Sequence, residues 1–141
     1  MVYIDTSVVV ALLTQEPAAE RAAAWFETLE DTPVCADWLL TEFSSAISIK
    51  RRTGQITEIA AKAARKEFQL LVGNGVRLAP VSRAVFKAAA DMAEAHGHGL
   101  RAGDALHLAV AREIGADILA TLDATMALNA KRIKLGLVRF S

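Results

Sequence analysis

The chain lacks two features that would assign it to a familiar class of protein. It has a single cysteine, Cys35, so it cannot form an internal disulfide, and a reducing compartment is expected. Lys and Arg together number 16, as do Asp and Glu, so the formal net charge is zero and no generally basic surface is available for nucleic acid. Any polyanion must therefore be met by local basic patches or by a bound metal ion.

Long apolar runs are also missing. No run approaches the roughly 20 residues that span a bilayer. The N-terminus reaches Asp5 without the basic segment of a signal peptide. We therefore expect a cytoplasmic protein with no membrane segment. Of the 141 residues, 53% are hydrophobic, which is enough to bury the core of one domain spanning residues 1–141, with Cys35 packed inside it.

Short apolar runs alternate with helical patterns along the chain. The predicted strands are residues 1–4, 33–36, 77–80, 117–121 and 137–140. The helix predicted over 101–114 is apolar on almost every side, which indicates that it is buried. Strands that alternate with helices predict an α/β fold with a parallel sheet and helices on both faces.

Four acids stand at positions where acids are unusual. Asp5 and Asp123 each end an apolar strand, Asp104 opens the buried helix, and Glu42 faces the core side of a helix predicted over 38–52. Strand ends and helix starts converge on one edge of such a sheet, so these acids are expected to share a pocket. Their mutual repulsion would raise their pKa values unless a divalent cation such as Mg²⁺ or Mn²⁺ were bound. Acid clusters of this kind support metal-assisted hydrolysis of phosphodiesters.

Each acid also has a structural interpretation. Asp104 could serve the helix dipole, Asp123 could cap a helix, and Glu42 could carry its carboxylate to the surface. Asp5 is harder to explain in this way because it directly ends a buried strand. Thr6 or Ser7 is the expected N-cap of the helix that follows.

Short motifs spread over nearly the whole chain are similar to those of one family. They are YIDTS at residues 3–7, TE at 41–42, LRAGDALHLA at 100–109 and LATLD at 119–123. In order and spacing they resemble the PIN-domain ribonucleases, in particular the short toxins of VapBC toxin–antitoxin pairs.

The resemblance implies a three-layer α/β/α fold with strand order 3-2-1-4-5. It implies an RNA substrate cleaved to leave a 3′-hydroxyl and a 5′-phosphate, a VapB-like antitoxin and a homodimer. It also implies a Mg²⁺ or Mn²⁺ site with catalytic, metal-binding acids and supporting hydroxyls. These residues are the acids Asp5, Glu42, Asp104 and Asp123, and the hydroxyls Thr6 or Ser7 together with Thr121.

Two further features have more than one interpretation. His107 follows Asp104 by one helical turn, and we expect it to be packed, because no other His or Cys completes a metal-binding set. Lys131, Arg132 and Lys134 close a predicted helix. They are either a solvated helix end or, as our hypothesis, contacts to RNA phosphates.

Two other functions stay open on the sequence alone. One is a PIN nuclease that processes RNA and is not a toxin; the other is a non-catalytic binding module, which the presence of all four acids disfavours. Receiver domains need a second acid near the first strand. Haloacid-dehalogenase-type phosphatases need an Asp where this chain has Ser7, so neither class fits.

Overall fold

Five short parallel strands form one sheet in a computed structural model that describes residues 1–140. The strands are Val2–Ile4 (β1), Val34–Ala36 (β2), Arg77–Ala79 (β3), Ile118–Ala120 (β4) and Gly136–Leu137 (β5). Every neighbouring pair is parallel, and the order across the sheet is β3-β2-β1-β4-β5. This confirms the expected strand order and places β1 at the centre.

Seven α-helices connect the strands. They are Thr6–Leu13 (α1), Ala19–Glu27 (α2), Trp38–Arg52 (α3), Glu58–Leu70 (α4), Arg83–Glu94 (α5), Ala102–Glu113 (α6) and Ala124–Arg132 (α7). A π-helical turn, Leu71–Gly75, extends α4, and a 3₁₀ turn, His96–His98, leads into α6. None of the helices within residues 1–140 has the length and apolar character that crossing a bilayer requires.

The helices lie on both faces of the sheet. The connections from β1 to β2 and from β2 to β3 step across the sheet in one direction, and the later connections step in the other. Parallel crossovers are right-handed, so α1 to α4 cover one face and α5 to α7 the opposite face. The three-layer α/β/α arrangement is therefore confirmed.

The core is centred on β1. Tyr3 and Ile4 are fully buried, and Tyr3 pairs with Leu119 on β4. Cys35 on β2 is also fully buried, as predicted. Helix α6 buries every residue from 105 to 111, which confirms the prediction made from its continuous apolar sequence.

The first helix is capped differently from the expectation. We expected Thr6 or Ser7 as the N-cap, but α1 already begins at Thr6 and its N-cap is Asp5. The backbone at Asp5 is extended, and its side chain accepts a hydrogen bond from the Val8 N–H. An Asp side chain caps a helix as well as Ser or Thr does, so the acid takes the position that the hydroxyls would otherwise fill.

The last strand is shorter than predicted. Residues 137–140 were expected to be extended in the sheet, whereas β5 covers only Gly136–Leu137. The Val138 N–H still donates to the Leu119 carbonyl at 2.9 Å, but the chain then leaves the sheet. Phe140 packs edge-to-face on Trp25, with ring centroids 5.3 Å apart, and this aromatic contact replaces further strand pairing.

Candidate functional site

Asp5 ends the central strand and is 3% exposed. Its Oδ1 accepts hydrogen bonds from Ser7 Oγ at 2.5 Å and the Val8 N–H at 3.4 Å, and its Oδ2 accepts one from Thr121 Oγ1. Burial raises the pKa of Asp5, and the charge of His107 together with these hydrogen bonds offsets only part of the increase. The carboxylate is thus fixed where its negative charge is costly unless a cation is near.

The three predicted supporting hydroxyls divide between two acids. Ser7 and Thr121 both donate to Asp5, one to each carboxylate oxygen. Thr6 donates instead to Glu42 Oε1 at 2.7 Å. All three hydroxyls therefore lie at the same edge of the sheet, where they orient carboxylates contributed by β1 and α3.

Glu42, on α3, points towards the sheet edge and not outwards into solvent. Its side chain is 27% exposed, and Oε1 accepts hydrogen bonds from both Thr6 Oγ1 and His107 Nε2. Burial raises the pKa of Glu42, but the hydrogen bond and charge of His107, with the Thr6 hydrogen bond, outweigh it and lower the pKa overall. Glu42 is therefore held in its ionised form, with one oxygen fully engaged.

His107 is packed, as predicted, but its polar contacts were missed. It is 1% exposed, and its Nδ1 lies 2.6 Å from Tyr3 Oη while Nε2 meets Glu42. Burial lowers the pKa of His107, yet the interactions with Cys35 and Glu42 prevail and raise it to about 10. Its spacing from Asp104 is a sequence signal, since residues three apart share a helix face. Nothing in the sequence identifies a partner 65 residues away.

Asp104 and Asp123 lie at the same edge of the sheet as Asp5 and Glu42, and these four residues together are called the acidic edge. Asp104 lies in the first turn of α6, and its carboxylate accepts no hydrogen bond from any other residue within 1–140. Asp123 is the N-cap of α7 and uses Oδ1 for that purpose. Burial raises the pKa of Asp104, and the negative charges of the other three acids raise it further. The structure therefore brings all four acids within electrostatic range of one another.

A cationic side chain already lies between two of these acids. Arg101 Nε is 4.0 Å from Asp104 Oδ2, and Arg101 Nη2 is 4.0 Å from Asp123 Oδ2. The Arg101 side chain is 83% exposed, and its charge lowers the pKa of Asp104. The space between the two Oδ2 atoms thus accommodates positive charge.

The acids suit a divalent cation only if other ligands complete its coordination. Within residues 1–140, no three His, Cys, Asp or Glu side chains are placed so that they could hold one metal ion together. Mg²⁺ is usually bound by one or two carboxylates, with waters and substrate oxygens as the remaining ligands. The carboxylate of Asp104 and the Oδ2 of Asp123, neither of which accepts a hydrogen bond within residues 1–140, fit that requirement.

The basic residues predicted to contact RNA lie away from the acids. Lys131 and Arg132 are the last two residues of α7, Lys134 follows the helix, and all three are exposed, whereas Asp123 caps the N-terminus of α7. Lys131 comes eight positions after Asp123, which corresponds to about 12 Å along the helix axis. The structure does not bring these cations to the acidic edge.

An open groove lies beside Glu42, between α1 and α3, with a volume of about 330 Å³. It is lined by Thr6, Ser7, Val10, Glu16, Glu42, Ser45, Ala46 and Ile49. A larger cavity of about 530 Å³ lies between the end of α1 and α4, and none of the four acids lines it. The smaller groove is therefore the one connected to the acidic edge.

Gly103 precedes Asp104 at a point with no room for a side chain. A Cβ there would lie 2.7 Å from Glu42 Oε2 and 2.9 Å from Trp38 Nε1. The carboxylate cannot move away freely because its other oxygen is held by two hydrogen bonds.

We expect Gly103→Ala to lower the free energy of unfolding by about 1–3 kcal/mol, the usual cost of overpacking. Thermal melts should show no such loss for Gly97→Ala, whose added Cβ would have no atom within 4 Å; equal melting temperatures for the two variants would contradict this.

Comparison with solved structures finds the same fold in several proteins. VapC20 from Mycobacterium tuberculosis, described as a Sarcin-Ricin loop cleaving toxin, superposes with a TM-score of 0.75 at 17% identity, covering 92% of this chain and 95% of that chain. FitAcB from Neisseria gonorrhoeae gives 0.73 at 18% identity, covering 99% and 97%. VapBC2 from Rickettsia felis, bound to a DNA fragment from its promoter, gives 0.70 at 18% identity, covering 100% of both chains. At these identities the likeness establishes a shared fold.

Comparison with protein families assigns the chain directly. A search of curated proteins found no match. A family profile described as "PIN domain" matches residues 2–132, which include all four acids and every strand except β5. The chain therefore belongs to the PIN domain family.

Proposed function

We propose that this chain is a metal-dependent endoribonuclease and the toxin of a VapBC-type toxin–antitoxin pair, working as one PIN domain. The observation that carries the proposal is the convergence of four carboxylates, each from a different element, with the pKa of Asp104 raised by burial and by the other three charges. Two solved structures of similar fold support the toxin assignment: VapC20 is described as a Sarcin-Ricin loop cleaving toxin, and VapBC2 is described as bound to a DNA fragment from its promoter.

The acids are proposed to have different tasks at a Mg²⁺ or Mn²⁺ site. Asp104 and Asp123 would bind the cation through oxygens that no hydrogen bond occupies, and Asp5 and Glu42 would supply further negative charge from fixed positions. When bound, such a cation lowers the pKa of a water molecule and neutralises charge on the scissile phosphate. Arg101, exposed at the mouth of the site, is suited to bind a phosphate oxygen of the RNA.

The proposed function is tested by mapping RNA ends in cells after brief induction of the chain. New ends should accumulate at a small set of RNA sites within minutes. The same induction of Asp5→Ala should produce none, and co-expression of an antitoxin encoded beside the toxin should suppress them. An RNA population unchanged by induction of the parent would refute the assignment.

The groove beside Glu42 is proposed as the antitoxin-binding surface. It is open, it adjoins the acids, and it continues to Ile49, which is 42% exposed. A peptide seated there would cover Glu42 and restrict access of RNA. The antitoxin would thus inhibit by occupying the approach to the site.

We also propose a homodimer. Phe86 on α5 is 52% exposed and lines an apolar cleft between α5 and α6 with Ala89, Ala90, Ala93, Ala102 and Leu106. Exposed apolar patches of this kind commonly mark interfaces.

Sedimentation at micromolar concentration should give twice the mass of one chain, and Phe86→Glu should reduce the measured mass to that of one chain. Ile59→Glu, at an 83% exposed apolar residue on α4, should leave the dimer intact; a monomeric parent would disprove the dimer.

The basic end of α7 is proposed to contact RNA phosphates distant from the cleaved bond. Replacing Lys131, Arg132 and Lys134 together by Gln should weaken RNA binding and reduce the slope of log K against log salt by about 0.7 for each phosphate that the variant no longer neutralises. Binding of Mn²⁺ should be unaffected, because these residues are about 12 Å along α7 from Asp123. Fluorescence titrations of a labelled RNA at several salt concentrations measure the slope. An unchanged slope would make these residues an ordinary solvated helix end.

A further inference from the structure

His107 is a buried, titratable side chain that the proposed roles of the four acids leave unexplained. It lies one turn after Asp104 on α6 and is 1% exposed. A polar ring at such a depth is costly unless both nitrogens have partners. Both do, and the two sets of partners lie on opposite sides of the ring.

The Nδ1 side of the ring is fixed to the sheet. Nδ1 lies 2.6 Å from Tyr3 Oη on the central strand, and Tyr3 Oη in turn accepts a hydrogen bond from the Ala36 N–H at 3.0 Å. Tyr3 and Ala36 are both fully buried. The ring is thus tied through one hydroxyl to the backbone of β2, which leaves it little freedom to rotate.

The Nε2 side of the ring meets Glu42. Nε2 is hydrogen-bonded to Glu42 Oε1 and lies 3.1 Å from Thr6 Oγ1, which donates to the same oxygen. Glu42 Oε2 lies against Gly103, the residue before Asp104. A Glu side chain on a half-buried helix face would otherwise be free to extend into solvent, so these contacts decide the direction of its carboxylate.

We propose that His107 is a positioning residue that holds the Glu42 carboxylate against the acidic edge and thereby sets the affinity of the site for a divalent cation. The inference rests on the proposed function, because it assumes that this edge binds the cation. His107 itself touches neither RNA nor metal in this account. It acts through Glu42, as residues that support metal ligands do elsewhere, where their loss costs about 10- to 100-fold in metal affinity or activity.

Two amide substitutions separate the two sides of the ring. In His107→Gln the side-chain amide nitrogen reaches the position of Nε2, so the hydrogen bond to Glu42 is kept. In His107→Asn the amide nitrogen takes the position of Nδ1, so the hydrogen bond with Tyr3 is kept and the one with Glu42 is removed. We expect His107→Asn to reduce Mn²⁺ affinity, measured without RNA, and kcat by about 10- to 100-fold with little change in KM. His107→Gln should restore most of both.

A double-mutant comparison distinguishes positioning from a general structural role. In a Glu42→Gln background, His107→Asn should cause no further loss of kcat or of Mn²⁺ affinity, because its effect passes through Glu42. A structural role predicts that the two losses multiply. Equal Mn²⁺ affinity in His107→Asn and His107→Gln, both folded, would overturn the proposal.

A measurement on the unsubstituted ring covers the case in which these variants fail to fold. The chain has three histidines, and His96 and His98 are exposed in the turn before α6. In ¹⁵N-labelled protein, adding Mg²⁺ should shift the ring signals of His107 and leave those of His96 and His98 in place, and Glu42→Gln should remove that response. If the site binds Mg²⁺ but the ring signals of His107 do not shift, the positioning role alone is overturned. A parent that binds neither Mg²⁺ nor Mn²⁺ overturns the proposed function as well.

Discussion

Asp5→Asn is expected to abolish Mg²⁺- or Mn²⁺-dependent RNA cleavage almost completely while leaving the fold intact. The amide keeps the size and shape of the carboxylate and removes its charge from the centre of the acidic edge. Asp5 is 3% exposed, so no neighbouring side chain can move in freely to replace it. The hydroxyls of Ser7 and Thr121, which now donate to the carboxylate, can rotate to match an amide.

The direction in which Asp5→Asn changes the free energy of unfolding follows from the pKa of Asp5. Burial raises the pKa of Asp5 above its value in the unfolded chain, so the ionised carboxylate destabilises the folded state at pH values above the raised pKa. The opposition disappears only as the pH falls and the folded state takes up the proton. At neutral pH without metal, Asp5→Asn should therefore be as stable as the parent, or slightly more stable.

Thermal melts with and without metal distinguish the parent from Asp5→Asn. A ligand that binds only the folded state stabilises it by RT ln(1 + [L]/Kd), which is about 2.7 kcal/mol at 100 times Kd. The parent should gain this stability with Mn²⁺ over EDTA, and Asp5→Asn should gain less. The matched control Asp31→Asn changes an exposed acid that is not one of the four, so it should behave as the parent does. If Asp5 were purely structural, the amide would lower the melting temperature and Mn²⁺ would affect both proteins alike.

Tyr3→Phe is expected to give the largest loss of stability from the removal of one atom. Tyr3 Oη meets the Ala36 N–H and His107 Nδ1, and all three residues are buried. Without the hydroxyl, both groups lose their partner, at about 1–3 kcal/mol each. Cys35 Sγ lies 4.0 Å from Nδ1, but sulfur is only a weak acceptor. The total of about 2–6 kcal/mol corresponds to a loss of roughly 7–20 °C in Tm for a chain of this length.

Differential scanning calorimetry measures this effect. Thr28→Val provides the control, because the Thr28 hydroxyl donates to the Trp25 carbonyl on the exposed surface, where water can replace the missing hydrogen bond. That variant should stay within about 0.5 kcal/mol of the parent. A Tm of Tyr3→Phe equal to that of Thr28→Val would show that the Oη hydrogen bonds contribute nothing to folding.

The sheet and the acids were predictable because they follow from local sequence. A continuous apolar run that stops at Asp5 or Asp123 shows both the strand and the edge at which it ends. In a parallel sheet that edge is shared by all strands, so residues 118 positions apart are brought together without any knowledge of packing. The buried helix α6 was equally plain from its apolar residues.

The missing parts depend on contacts between distant elements. The hydrogen bond from His107 to Glu42 joins α6 to α3, and apolar patterning cannot show which polar residue of one helix meets another. The role of Asp5 as N-cap was missed because Ser, Thr and Asp cap helices almost equally well, and three such residues stand in a row. The basic residues at the end of α7 were predicted to contact RNA from their composition, and that contact stays a prediction; their separation from Asp123 by the length of the helix was already visible in the sequence.

The chemical ends of the RNA products test the central claim most directly. Metal-assisted hydrolysis uses water as the nucleophile and leaves the ribose 2′-hydroxyl untouched. Mass spectrometry of products made by the purified parent with Mg²⁺ or Mn²⁺ should therefore find no 2′,3′-cyclic phosphate. It should find the 5′-phosphate and 3′-hydroxyl that the resemblance to PIN-domain ribonucleases implies at each internal cut, and no cuts in EDTA. Products that end in a 2′,3′-cyclic phosphate and also form in EDTA would contradict a metal-dependent site at Asp5, Glu42, Asp104 and Asp123.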